Sequence, residues 1–184
     1  MKRLELPPEK GALRELQASD EVELFGDALT MRDAALKRLA SMIEAGEKPP
    51  FDLDGQLVFH AGPTPAAGGR AVGAIGPTTS ARMDRYLEML FSLGVRSTLG
   101  KGPRSEKARE LHEKWGAVYL ASVGGVAALF GSKVVSAEGR AWEDRGPEAV
   151  RRVRLAGLPA VVAIDARGAD HLRAQYRTHG QRNG

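Results

Sequence analysis

The residues best suited to chemistry sit in three separate stretches punctuated by glycine and proline. Gly76-Pro77-Thr78-Thr79-Ser80-Ala81-Arg82-Met83-Asp84 places three hydroxyls and an arginine where a helical pattern begins. Gly100-Lys101-Gly102 holds a lysine between two glycines. Thr30-Met31-Arg32-Asp33 puts a second arginine at the head of an earlier helical pattern. Free backbone N–H groups and the dipole at a helix start favour negative charge. Arginine can grip a carboxylate through two parallel hydrogen bonds, whereas lysine adds a point charge. Three cations on three loops suit a small molecule with two carboxylates. The plainer alternative is that each caps or solvates its own turn.

The elements that must position these groups follow from periodicity. Residues 1–29 form an extended entry, with Val22, Leu24 and Leu29 alternating with polar residues. Thr30 is placed to cap a helix over Met31 to Ala45, whose stripe is Ala35, Leu39, Met42 and Ile43 and whose stop is Gly46. A cation in the first turn is unfavourable by up to about 1 kcal/mol. Arg32 is therefore either a solvated side chain or a group that shares one anion with the helix terminus. Leu57 to His60 is a short strand that runs into His60-Ala61-Gly62-Pro63-Thr64-Pro65, and Ala71 to Ile75 is another brief one. Met83, Tyr86, Leu87, Leu90 and Phe91 line one helical face, which Gly94 ends. Val95 to Leu99 is a strand, and Ser105 caps a polar helix through Lys114. Further on come a strand at Ala117 to Leu120, a turn at Gly124-Gly125, a short helix at Val126 to Phe130 and a strand at Val134-Val135. Trp142 falls in a loop, and Leu158 to Ile164 is the last strand. The basic tail from about residue 173 is expected to be mobile. Strands and helices alternate, so the expected class is α/β, in a single domain over 1–184 without internal repeats.

Composition narrows the partners. With 42% hydrophobic and 27% charged residues, the chain is neither a disordered nor a membrane composition. No apolar run is long enough to span a bilayer, and Met1-Lys2-Arg3-Leu4-Glu5 lacks the apolar core of a signal peptide, so a cytoplasmic location and no membrane partner are expected. The chain has no cysteine, which excludes disulfides and any iron–sulfur or cysteine-type zinc site built by this chain alone. His60, His112, His171 and His179 are scattered, so no metal ligand is expected among them. The net charge of +4 suits an anionic partner. The late arginines 151, 152, 154, 167, 173, 177 and 182 are not interleaved with aromatic residues, which argues against a nucleic-acid stacking surface. Nucleotide loops fit poorly. Gly94 to Lys101 is one residue too long for a Walker loop and carries Gly102 in place of its Ser/Thr, and the glycines of 68–76 do not form G-x-G-x-x-G.

Taken whole, the sequence at 76–84 closely resembles the signature of the β subunit, or C-terminal domain, of class I iron–sulfur fumarases and L(+)-tartrate dehydratases. Thr30-Met31-Arg32-Asp33-Ala34-Ala35, His60 to Pro65, Gly100-Lys101-Gly102, Ala117 to Leu120 with Gly124-Gly125, Ala141-Trp142-Glu143 and Leu158-Pro159-Ala160 follow in the expected order. The resemblance implies a swivelling β/β/α domain that takes part in the reversible hydration of fumarate to malate, or the dehydration of tartrate. It implies a [4Fe–4S] cluster acting as Lewis acid, ligated by cysteines of a partner α subunit, commonly in an α2β2 assembly. By motif position it makes Thr78 the base and Arg32, Arg82 and Lys101 the substrate-carboxylate ligands, with no metal or cofactor ligand in this chain. Leu36 stands where family members commonly carry a histidine; either a polar contact is lost or the position only packs the helix. The expectation is therefore the β subunit of an iron–sulfur hydro-lyase acting on fumarate and malate, inactive without its α subunit. The alternatives are tartrate as substrate, or a non-enzymatic anion-binding module whose basic tail meets nucleic acid.

Overall fold

Two long strands carry the architecture. In a computed structural model, which describes residues 1–9, 11–66, 68–122 and 127–173, β2 (Glu21–Thr30) and β9 (Val150–Ile164) pair antiparallel from Glu21↔Val161 to Thr30↔Arg151. The register slips between Leu24 and Phe25, where Gly157 is the unpaired residue. Its φ of +73° is a left-handed conformation that glycine adopts freely, so this bulge bends both strands without strain.

Each long strand exchanges its other neighbour partway along. The first half of β2 pairs with β1 (Lys2–Leu6) and its end pairs with β3 (Leu57–Phe59), both parallel. The first half of β9 pairs with β8 (Val134–Ala141) and its end with β7 (Val118–Ala121), both antiparallel. β6 (Ser97–Gly100) joins β3 to β7 in parallel register. The ring β2-β3-β6-β7-β9 thus closes on itself, and the seven-stranded sheet becomes a mixed five-strand barrel with β1 and β8 as flaps. A small antiparallel pair, β4 (Ala61–Pro63) with β5 (Ile75–Pro77), stands beside it.

Strand alternation sorts the side chains into two cores. Leu24, Ala28, Phe59, Leu99, Leu120, Val153 and Val162 share one cluster that draws on every barrel strand. The intervening Leu29 and Val58 join the second cluster. There they meet α1 (Asp33–Glu44), α2 (Leu87–Ser92) and α3 (Glu106–Trp115) through Leu36, Leu39, Leu90, Phe91 and Leu111. Leu36 is fully buried in that cluster, so the position packs the helix. A short α4 (Ala127–Ser132) packs against β5. Among the described residues no helix is long and apolar enough to cross a membrane.

Several expectations hold. Gly46 and Gly94 end their helices with positive φ, and the Ser105 hydroxyl caps α3 by accepting from the Ala108 N–H at 3.2 Å. Others need correction. Thr30 does not cap α1: it is the fully buried last residue of β2, its hydroxyl accepting from the Arg151 N–H at 3.2 Å, and Arg32 occupies the cap position without a side-chain cap bond. Residues Ser80–Tyr86 wind as 3-10 turns before α2 rather than as its first turns. The brief strand near 71–75 is displaced to β5. β9 begins eight residues before Leu158, and β8 runs on to Ala141. The Gly124-Gly125 turn, Val126 and the basic tail beyond 173 lie outside the described residues.

Candidate active site

The four residues singled out by sequence follow the carboxyl ends of three strands, β2, β5 and β6. Arg32 follows β2, Thr78 follows β5, Lys101 follows β6, and Arg82 lies in the 3-10 turns after Thr78. Carboxyl ends of parallel strands are where open α/β sheets place their ligands, because loops there diverge and leave a crevice. Backbone hydrogen bonds weave the ends together. The Met31 N–H donates to Phe59 O at 3.0 Å, His60 N–H to Leu99 O at 2.7 Å, Thr78 N–H to His60 O at 2.8 Å, and Lys101 N–H to Thr78 O at 3.2 Å.

Side chains complete the arrangement. Arg82 forks onto Asp33, Nε to Oδ1 at 3.1 Å and Nη2 to Oδ2 at 2.9 Å, and Nη2 also donates to the Thr78 hydroxyl at 2.8 Å. Arg32 shares Asp33, with Nε 3.8 Å from Oδ2, and lies 3.5 Å from Glu148 Oε1. Glu148 Oε2 in turn accepts the Ala34 N–H at 2.7 Å, so a carboxylate from a distant turn stabilises the start of α1 and offsets the misplaced Arg32 charge. Among the described residues the Lys101 ammonium has no ion-pair partner. Burial alone would raise the Asp33 carboxyl; the Arg82 hydrogen bond, with the charges of Arg82 and Arg32, overcomes it and holds the group below its ordinary range. An open groove of about 520 Å³, lined by Asp33, Ala81, Arg82, Asp84, Arg85 and Ser105, runs along the Arg82–Asp33 side of this cluster.

One part of the expected anion site fails. The N–H groups of Thr78 and Ser80 are not free for a ligand, since Ser80 N–H donates to Lys101 O at 3.0 Å and Thr78 N–H to His60 O. No α-helix starts at Thr79. No helix terminus is left free here to draw an anion; the charge available is that of side chains.

A buried layer beneath the site escaped the sequence reading. Arg104, fully buried at its side chain, donates to Asp84 Oδ1 at 2.7 Å, to Ser80 O at 3.3 Å and to Thr98 Oγ1 at 3.3 Å, with its guanidinium 4.5 Å from the Tyr119 ring centroid. Asp84 Oδ2 also accepts the Ser105 N–H at 2.9 Å. His60 is wholly buried, and burial, then the nearby Arg104 charge, lowers its pKa to about 3. It is a neutral ring whose Nδ1–H donates to Met31 O at 3.0 Å. The only sequence signal for this layer was Asp84 closing the Thr–Thr–Ser–Ala–Arg–Met–Asp run.

Could this chain hold a metal cluster? It has no thiolate, and among the described residues no group of three His, Cys, Asp or Glu side chains could hold a metal ion. The residues present do not fit an iron–sulfur cluster.

Comparison with known proteins places the geometry. A sequence model described as "Fumarase C-terminus" matches residues 2–174. The chain is 34% identical over 165 residues to "Putative L(+)-tartrate dehydratase subunit beta" of Methanocaldococcus jannaschii, covering 86% of this chain and 85% of that protein. It is 32% identical over 163 residues to "Fumarate hydratase class I, anaerobic" of Escherichia coli K12, covering 88% of this chain but 30% of that protein. With "Fumarate hydratase 1, mitochondrial" of Leishmania major it shares 34% identity over 151 residues, covering 81% of this chain and 28% of that protein. The chain thus spans about three tenths of the fumarate hydratases it matches and most of the tartrate dehydratase subunit. A match over nearly its whole length shows that the chain belongs to the fumarase C-terminus family.

Proposed function

We propose that this chain is the β subunit of an iron–sulfur hydro-lyase that interconverts fumarate and (S)-malate, and that it contributes one half of a dicarboxylate site. The observation that carries the proposal is that Arg82, which shares Asp33 with Arg32, donates to the Thr78 hydroxyl, while the main chain of Lys101 bonds to that of Thr78. On this reading residues 1–184 form one fumarase-type β-subunit domain, and its barrel with outer helices is the swivelling β/β/α fold. The [4Fe–4S] cluster belongs to cysteines of an α partner, in an α2β2 complex, since this chain has no cysteine.

The chemistry assigned to this chain is electrostatic and proton-handling. Dehydrating malate removes a proton from the carbon next to one carboxylate, and negative charge builds on that carboxylate. Cations already aimed at it lower the barrier without reorganising. Arg32 and Lys101 bind the carboxylates, with Arg82 turning its remaining Nη1 edge to them. Thr78 takes the proton as the alkoxide and returns it in hydration. A hydroxyl is a weak base, and the Arg82 hydrogen bond to its oxygen favours the charged form. Three cations against Asp33 and Glu148 leave one net positive charge, which is less than a dianion requires. The groove is also open. Both features favour a partner that closes the site and adds charge.

The experiment is anaerobic reconstitution with a cysteine-bearing α subunit, assayed on malate, fumarate and L(+)-tartrate. Malate–fumarate interconversion by the mixture, and by neither chain alone, is expected. Turnover of tartrate alone would move the substrate to the second reading, which the similarity to a tartrate dehydratase β subunit favours. An active isolated chain would overturn the subunit role.

A further inference from the structure

Beneath Thr78 and Lys101 lies a tyrosine that neither the motif nor the comparisons single out. Tyr119, on β7, is fully buried, and its hydroxyl oxygen is 2.8 Å from Gly102 O and 3.1 Å from Ser80 Oγ. A carbonyl can only accept, so the single phenolic proton goes to Gly102 O. The Ser80 hydroxyl then donates to the Tyr119 oxygen. One phenol therefore joins the loop after β6 to the turn after β5. Those are the two segments that carry Lys101 and Thr78.

The two segments are already adjacent. Thr79 and Lys101 form a parallel bridge, Ser80 N–H donates to Lys101 O, and Lys101 N–H donates to Thr78 O. They approach so closely at Gly100 that a Cβ there would fall 1.9 Å from Ser80 Oγ. Ser80 is thereby held at its N–H by Lys101, at its carbonyl by Arg104 and at its hydroxyl by Tyr119. Burial pushes the Tyr119 phenol upward from its ordinary pKa, so it keeps its proton through the neutral range.

We propose that Tyr119 is a positioning residue, and that its hydroxyl, acting through Ser80 and Gly102, fixes the separation between the two main-chain segments that carry Thr78 and Lys101. This rests on the hydro-lyase reading above for its effect on turnover, but the geometric coupling stands on its own. Reactive groups must be held to within a fraction of an ångström, because a displacement of about 1 Å can cost about a hundredfold in rate.

The test replaces Tyr119 by Phe, which removes one oxygen and keeps the ring under Arg104. Two readouts are taken. In the reconstituted complex, kcat is expected to fall about tenfold while KM changes less than about threefold, since the reacting geometry loosens more than the charge that binds substrate. In the chain alone, amide hydrogen exchange at Ser80 and Lys101 is expected to speed up, with Leu24 in the β2–β9 ladder unchanged. If Tyr119→Phe does not fold, Ser80→Ala removes the other half of the same contact with a smaller loss of volume. Unchanged exchange at both amides, or full kcat in an active complex, overturns the proposal. A wild-type complex inactive on malate, fumarate and tartrate would overturn the functional reading instead, and the exchange data would still decide the positioning role.

Discussion

Two arginine–aspartate pairs leave the same stretch of chain and lead opposite lives. Arg82 and Asp33 are 49% and 37% exposed at their side chains; Arg104 and Asp84 are 0% and 13% exposed. Both are direct charge-assisted contacts, at 2.9 and 2.7 Å. Solvent decides the difference. An exposed pair is screened and worth at most about 1 kcal/mol, so Arg82 is held in place by a partner that another carboxylate could join or displace. A buried pair has surrendered its hydration, and losing either member leaves a bare charge in the protein. The first region can exchange partners and the second cannot. An adaptable cation is thus mounted on a rigid one, with Ser80 and the following turns between them.

The sharpest way to break this comparison is Arg104→Ala. It strands Asp84 and should cost about 3–5 kcal/mol of stability, seen as a melting midpoint lowered by roughly 10 °C. A loss within about 1 kcal/mol would mean that the buried layer is not what holds the site.

Acid comes next. His60 and His112 are both buried and neutral, each pKa lowered to about 3 by burial and then by the Arg104 charge. An unfolded imidazole takes up its proton near pH 6.5, so between about 6.5 and 3 the unfolded state binds more protons than the folded one. Stability is therefore complete above pH 6.5 and is lost as pH falls toward 3, at about 1.4 kcal/mol per pH unit for each ring. Denaturant melts across that range should show the slope, and His112→Phe should reduce it. A flat profile would show that these rings titrate in the folded state.

The smallest expected effect on stability is at Arg82→Ala, which removes the exposed pair. The melting midpoint should move by no more than the equivalent of about 1 kcal/mol.

How much of this was legible in the chain follows the same division. The glycine stops, the Ser105 cap and the helical face of Leu87, Leu90 and Phe91 are local patterns, and they appear where periodicity placed them. The first half of β9 was hidden because Arg151, Arg152 and Arg154 interrupt the apolar run. In the fold Arg152 and Arg154 alternate with buried Val153 and Leu155. Thr30 has the chemistry of a cap, but the pairing of its strand with β9 buries it two residues before the cap position. At the site, the motif residues were recognisable by type. Their partners were not, because Asp33 lies 49 residues from Arg82 and Glu148 lies 114 residues from Ala34, which only the folded barrel brings together. Nothing local marks Arg104 for burial; it sits among the polar residues that begin α3.

On the hydro-lyase reading, the exposed cation cluster serves substrate and the buried one serves the fold. The most direct measurement is the rate of malate dehydration by the reconstituted complex carrying Arg82→Ala, set against wild type, with both chains shown to be equally folded. A fall in kcat/KM of about a hundredfold or more is predicted, the loss of roughly 2.7 kcal/mol of transition-state stabilisation. An Arg82→Ala complex as active as wild type would contradict the claim.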